Sequence, residues 1–270
     1  VWRDSLTLWS AASAREPGAL ANGELAGALI QDGRARDGID RLLETVKEPS
    51  AQATAFVNLG AAFQKLGRQE DAREAWRRGL AAAPTPELSA LLGASLTKDD
   101  ITGGTSLLKS AVLAEPARAA WRVDLGDALV RAGRSAEARR QYAVALDLEP
   151  ELGRAHNNLG LLLDREGRTA EAVAHYRAAL RDPASRAEAH HNWGNVLLAE
   201  SRTTDAERHY REALRLEPGL ARTQVNLGNI LARRGAFAEA AARYRAALKS
   251  EPRSVEARAN LRAVAPFLKK

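Results

Sequence analysis

The sequence predicts an all-α solenoid, and three observations carry that expectation. First, a 34-residue unit returns at a fixed period: GRAHNNLGLLLDREGRTAEAVAHYRAALRDPASR from Gly153, AEAHHNWGNVLLAESRTTDAERHYREALRLEPGL from Ala187, and ARTQVNLGNILARRGAFAEAAARYRAALKSEPRS from Ala221. Second, small and large residues keep fixed offsets. Leu125-Gly126, Leu159-Gly160, Trp193-Gly194 and Leu227-Gly228 mark a first helix. Ala138 and Tyr142, Ala172 and Tyr176, Ala206 and Tyr210, and Ala240 and Tyr244 mark a second. Third, Glu-Pro closes the units at Pro116, Pro150, Pro218 and Pro252, with Pro183 one position early. Glycine on one helix and alanine on the other permit close approach, tyrosine fills the space between repeats, and proline stops the helix.

Residues 1–18 read as half a repeat or an N-terminal cap helix, with Trp2, Leu6 and Trp9 on one stripe. Two tryptophans are costly to leave wet at a solenoid end, so this helix either caps the array or is covered by protein upstream. Seven repeats then occupy 19–254, the first two opening at Ala19 and Ala53 with matching turns at Gly33 and Gly67, each followed by Arg. The third is irregular. Thr85-Pro86 reads as an N-cap and first-turn proline, Asp99-Asp100 replaces the Gly-Arg turn, and Gly103-Gly104 opens the second helix at about 1 kcal/mol per glycine against alanine. A phosphate cradle there would lack its lysine and is a weak signal. Repeats four to seven open near Ala119, Gly153, Ala187 and Ala221. Residues 255–270 read as a C-terminal capping helix, where Arg262 stands in the glycine register and Arg258, Lys269 and Lys270 supply a polar outer face.

This pattern resembles the tetratricopeptide repeat (TPR) over essentially the whole chain, most closely over residues 119–252. Toward the N-terminus Gly38, Thr45 and Gly104 depart from the small-residue pattern, and Trp76 replaces Tyr. The resemblance implies antiparallel helix pairs stacked into a right-handed superhelix over 1–270, with first helices lining a concave groove. It implies binding of a protein or peptide, and no catalysis. The AHNNLG and HHNWGN phrases are similar to the TPR arm of O-GlcNAc transferases. The opening VWRDSLTLWSAASAREP is similar to the join between membrane segments and repeats in transmembrane-and-TPR proteins. The alternative function is therefore the substrate-presenting region of a larger membrane glycosyltransferase-like protein.

The chain has 270 residues, a net charge of +6 and no cysteine, which removes disulfides and thiolate metal sites. Acids and bases interleave, so the basic balance reads as a solvated helix surface. RNA binding would rest on charge alone, since stacking aromatics are missing from the inner positions. No apolar run is long enough to span a membrane, although a tether through an upstream segment is compatible with the start at Val1. The compartment stays open: cytoplasmic, or extracytoplasmic if the chain is a piece of a membrane-anchored protein.

Candidate binding residues come from one repeat position. Asn58, Asp124, Asn158, Asn192, Asn226 and Asn260 share it, with Glu24 in the first repeat. Asn195 and Asn229 lie three residues along on the same face, and Asn157 and His191 are neighbours. Carboxamides offer donors and acceptors, so this ladder suits the backbone of an extended peptide. It equally suits a consensus choice with no ligand, and both readings stand. The family's carboxylate clamp needs basic residues where this chain has Asn157, His191 and Val225. His156 and His190 share one register and His175 and His209 another, but no fixed carboxylate completes a tetrahedral metal set. No catalytic residue, cofactor or metal is expected.

Overall fold

The computed structural model describes residues 5–15, 19–47 and 52–268. Trp2, Lys269 and Lys270 lie outside them. Among the described residues every regular element is a helix. The chain divides into two compact units, Val1–Gln141 and Tyr142–Lys270.

The first unit contains α1 (Ser5–Arg15), α2 (Ala19–Gln31), α3 (Ala35–Thr45), α4 (Ala53–Lys65), α5 (Gln69–Ala82), α6 (Pro86–Leu96), α7 (Ile101–Ala114) and α8 (Ala119–Arg131). The pairs α2–α3, α4–α5 and α6–α7 pack as hairpins, and α2, α4, α6 and α8 touch in succession. Helix α9 (Ser135–Leu148) carries the division between units. The second unit holds α10 (Gly153–Arg165), α11 (Thr169–Ala179), α12 (Arg186–Ala199), α13 (Thr203–Leu216), α14 (Ala221–Arg233), α15 (Phe237–Ser250), α16 (Val255–Val264) and a closing 3₁₀ turn. Its pairs are α10–α11, α12–α13 and α14–α15, with α16 against α15.

Within a pair, the chain reverses because the first helix is stopped by backbone chemistry. Gly33, Gly67, Gly133, Gly167 and Gly235 all have φ between 72° and 85°. The next N–H then reaches back five residues, as in Arg34 N to Leu29 O (2.9 Å), Arg68 N to Phe63 O (2.9 Å) and Arg168 N to Leu163 O (2.9 Å). This is the Schellman closure, which satisfies carbonyls orphaned at the helix end. The arginine sits at the N-cap of the second helix and binds the acid three residues on, in Arg34–Asp37, Arg68–Asp71, Arg134–Glu137, Arg168–Glu171 and Arg202–Asp205. These acids also suit the positive end of the helix dipole.

A second device closes each repeat onto the next. A side chain early in the first helix donates to the carbonyl six residues before it. It is Arg122 to Pro116 (2.8 Å), Gln224 to Pro218 (3.0 Å) and Arg258 to Pro252 (2.8 Å). His156 Nε2 does the same to Pro150 O at 3.0 Å. Where Pro183 is displaced, Arg186 reaches Leu180 O instead. The proline carbonyls are thus held as well as ended.

The irregular third repeat is well formed. Thr85 Oγ1 accepts from Leu88 N with Pro86 in the first turn, as expected. Asp100 caps α7 by accepting from Gly103 N at 2.8 Å. Gly104 faces Gly93, and a methyl added at either would come within 2.9 Å of the other's carbonyl oxygen. The two glycines, a weakness by helix propensity, are where α6 and α7 touch backbone to backbone. On α1, Leu6 and Trp9 are half-buried.

Two turns lack the glycine. The third repeat has Asp99-Asp100 there, and in the sixth Ser201 takes φ 63°, yet Arg202 N still reaches Leu197 O at 2.8 Å. A side chain in that region costs roughly 1–2 kcal/mol. Ser201→Gly is therefore expected to stabilise the second unit by about 0.5–1 kcal/mol, allowing for the freer unfolded chain. Gly167→Ala should destabilise it by a similar amount. Urea unfolding midpoints check both.

Candidate functional site

The first helices α10, α12, α14 and α16 carry the asparagine registers of the second unit. The first three have glycine at the crossing point with the second helix. A methyl added at Gly160, Gly194 or Gly228 would lie 2.7, 2.6 or 2.5 Å from the ring of Tyr176, Tyr210 or Tyr244. All three tyrosines are fully buried. Each ring lies over the glycine of its own repeat, and so locks the helix pair as well as filling space.

This placement delivers the tyrosine hydroxyl to the residue after the glycine. Tyr210 OH donates to Asn195 Oδ1 (2.8 Å) and Tyr244 OH to Asn229 Oδ1 (2.9 Å). The same two oxygens accept from the following repeat, Asn226 Nδ2 to Asn195 at 2.9 Å and Asn260 Nδ2 to Asn229 at 2.8 Å. Both asparagine registers are thus joined, 31 residues apart, by bonds between repeats. In α10 the residue after Gly160 is Leu161, which cannot accept. Tyr176 OH is left buried without a partner, and Asn192 Nδ2 turns to Asn157 Oδ1 at 3.0 Å. Asn157 is buried and spends its own amide on Glu188 at 3.2 Å.

His191 extends the network. Asn195 Nδ2 lies 3.1 Å from His191 Nε2, and Thr223 Oγ1 lies 2.9 Å from His191 Nδ1. The Asn195 oxygen already serves two donors, so its amide must donate. His191 Nε2 then accepts, and its proton sits on Nδ1. Burial, aided by the Arg222 guanidinium, lowers this imidazole to about 4. Burial raises all three tyrosines, with Tyr210 pushed up to about 12.

The structure therefore gathers Asn157, His191, Asn192, Asn195, Asn226, Asn229 and Asn260 on one unit, with Asn158 half-buried on α10. Asn58 on α4 and Asp124 on α8 belong to the other unit. Asn58 Nδ2 is the nearest group to where a Gly27 side chain would stand. Sequence reasoning places these amides toward a wet groove. They are half-buried, and most are spent on one another first. It missed Tyr210, Tyr244, Thr223 and Glu188 as partners. The available signal was the dipeptide Gly-Asn at 194–195 and 228–229 against Gly-Leu at 160–161. Among the described residues, no hydrogen bond reaches the Oδ1 atoms of Asn192, Asn226 and Asn260, whose amides donate inward, or leaves Asn229 Nδ2.

The tetratricopeptide-repeat family model matches residues 106–150, 123–188 and 191–255, more than half of the chain. The chain belongs to the TPR family. No curated protein matches the sequence. This TPR chain is similar in fold to a tetratricopeptide repeat protein from Parabacteroides merdae ATCC 43184, with TM-score 0.74 and 12% identity over 91% of this chain and 98% of that one. It is also similar to a chain of the APC/C hetero-tetramer Cut9-Hcn1, with TM-score 0.71 and 14% identity over 96% of this chain, of which it spans 52%. YrrB, described as a TPR protein with an unusual peptide-binding site, matches with TM-score 0.54 and 19% identity over 68% of this chain and 96% of its own. Among the described residues, no helix is long and apolar enough to cross a membrane.

Two outcomes follow from this geometry. Removing the orphaned hydroxyl by Tyr176→Phe should be neutral or stabilising. Tyr210→Phe and Tyr244→Phe should each cost about 0.5–1.5 kcal/mol, the worth of a neutral hydrogen bond. Urea denaturation of the three variants checks the asymmetry. The second outcome concerns pH. His191 and His209 are both lowered to about 4, chiefly by burial, whereas an unfolded histidine titrates near 6.5. Between about pH 6.5 and 4 the unfolded chain binds protons that the folded chain refuses. Stability present above 6.5 is therefore lost as pH falls toward 4. The melting temperature should drop across that window, and His191→Gln should flatten the drop.

Proposed function

We propose that the protein is a non-catalytic interaction scaffold whose second unit holds an extended peptide along the carboxamide face. The observation that carries this is the row of unspent oxygens on Asn192, Asn226 and Asn260, one per repeat on successive first helices. Each inward bond fixes its amide, so each outward oxygen is pre-oriented to accept an N–H. Pre-organisation lowers the entropic cost of binding. The row is uncharged, so it suits a peptide backbone more than particular side chains. YrrB, a chain of the same fold described as having an unusual peptide-binding site, supports the same use. Asn58 and Asp124 hold the same repeat position within the first unit.

The test uses peptides selected from a displayed random library on the full chain, with affinities read by fluorescence anisotropy. Asn192→Ala, Asn226→Ala and Asn260→Ala combined should weaken selected peptides by roughly 10-fold to 1000-fold, three hydrogen bonds at about 0.5–1.5 kcal/mol each. Tyr210→Phe serves as the control, lowering stability while leaving the oxygen row. Unchanged affinity in a folded triple variant would overturn the proposal.

A further inference from the structure

Away from the carboxamide face, the second unit pairs its histidines across the helix hairpin. His156 on α10 and His175 on α11 approach Nδ1 to Nδ1 at 2.9 Å. Register along the stack does not show this, because the partners are 19 residues apart within one repeat. The Pro150 carbonyl can only accept, so His156 Nε2 at 3.0 Å carries the proton. In that tautomer His156 aims an Nδ1 lone pair at His175, which supplies the shared proton from its own Nδ1. An imidazole whose far nitrogen is held by a backbone carbonyl is oriented as metal-bound histidines are.

We propose that His156 and His175 chelate Cu(II), which binds imidazole nitrogen most tightly of the divalent first-row ions. Their hydrogen bond already holds the two Nδ1 atoms 2.9 Å apart, close enough for one ion at about 2.0 Å from each nitrogen to replace the shared proton. On binding, the His175 proton moves from Nδ1 to Nε2. Both Nδ1 lone pairs become coordinate bonds, and two waters leave the hydrated ion. No electron is transferred and no proton is released. Among the described residues no group of three or more His, Cys, Asp or Glu could hold a metal ion, so water keeps the remaining positions.

His190 and His209 repeat the contact one unit on, Nδ1 to Nδ1 at 3.0 Å, but differ in two ways. No carbonyl holds His190, since Arg186 takes the equivalent place. The pair also borders a cavity lined by Arg208, Arg211 and Arg215 together with Glu207 and Glu212, where each arginine is paired with an acid. It is the built-in comparison.

The experiment titrates Cu(II) into the full chain at pH 7.5, reading nitrogen hyperfine structure by electron paramagnetic resonance and the melting temperature. His190→Gln should retain one equivalent at roughly micromolar Kd with a two-nitrogen spectrum. Because the ligands come from two helices, a hundredfold excess over Kd should raise the melting temperature by about 5–10 °C. His156→Gln and His175→Gln should each lose the two-nitrogen spectrum and the rise. A one-nitrogen spectrum in the unsubstituted chain overturns the proposal without reference to any variant. So does a two-nitrogen spectrum that survives His156→Gln and disappears in His190→Gln.

Discussion

The contact on which this structure depends is a bare glycine under an aromatic ring. Gly160, Gly194 and Gly228 leave no room for a methyl group beneath Tyr176, Tyr210 and Tyr244, and Gly60 stands in the same relation to the Trp76 indole. That approach sets the depth at which each second helix meets its first. The depth in turn decides where the tyrosine hydroxyl emerges, and so which residue can receive it. The amide network on the first helices is therefore a product of the packing beneath it.

Charge has a smaller part than its abundance suggests. Most ion pairs are neighbours three or four residues apart on one helix with both partners largely exposed, as in Arg34–Asp37 and Arg215–Glu212. Such pairs contribute little against solvent. Arg73, whose side chain is 12% exposed and pairs with Glu70 and Asp99, is one exception, and Glu207 is another. Its side chain is only 11% exposed and takes both Arg211 of its own helix and Arg234 of the next repeat, so it ties α13 to the loop after α14.

The fold was legible because a repeat array writes each structural requirement several times. Gly-Arg turns, buried tyrosines and terminal prolines recur at one period, and each stands where its physical reason puts it. The asparagine register was legible as a pattern. Its bonding was not, because it depends on the offset between neighbouring first helices, which brings Asn226 to Asn195 instead of to Asn192. The histidines show the same limit. Their shared registers suggested neighbours along the stack, while the contacts run across the hairpin. Helix propensity counts Gly103 and Gly104 as costly, and packing against Gly93 is what requires Gly104.

Leu161 gives the second unit a grammar for growth. Every rung made by Asn226 and Asn260 hands its donor back to the unit before it, and needs an asparagine directly after that unit's glycine. A duplication of residues 187–220 would copy both donor and acceptor and lengthen the line of amides. A duplication of residues 153–186 would copy leucine into the acceptor place and interrupt it. Two segments that look interchangeable by period are therefore unequal as templates for extending the array.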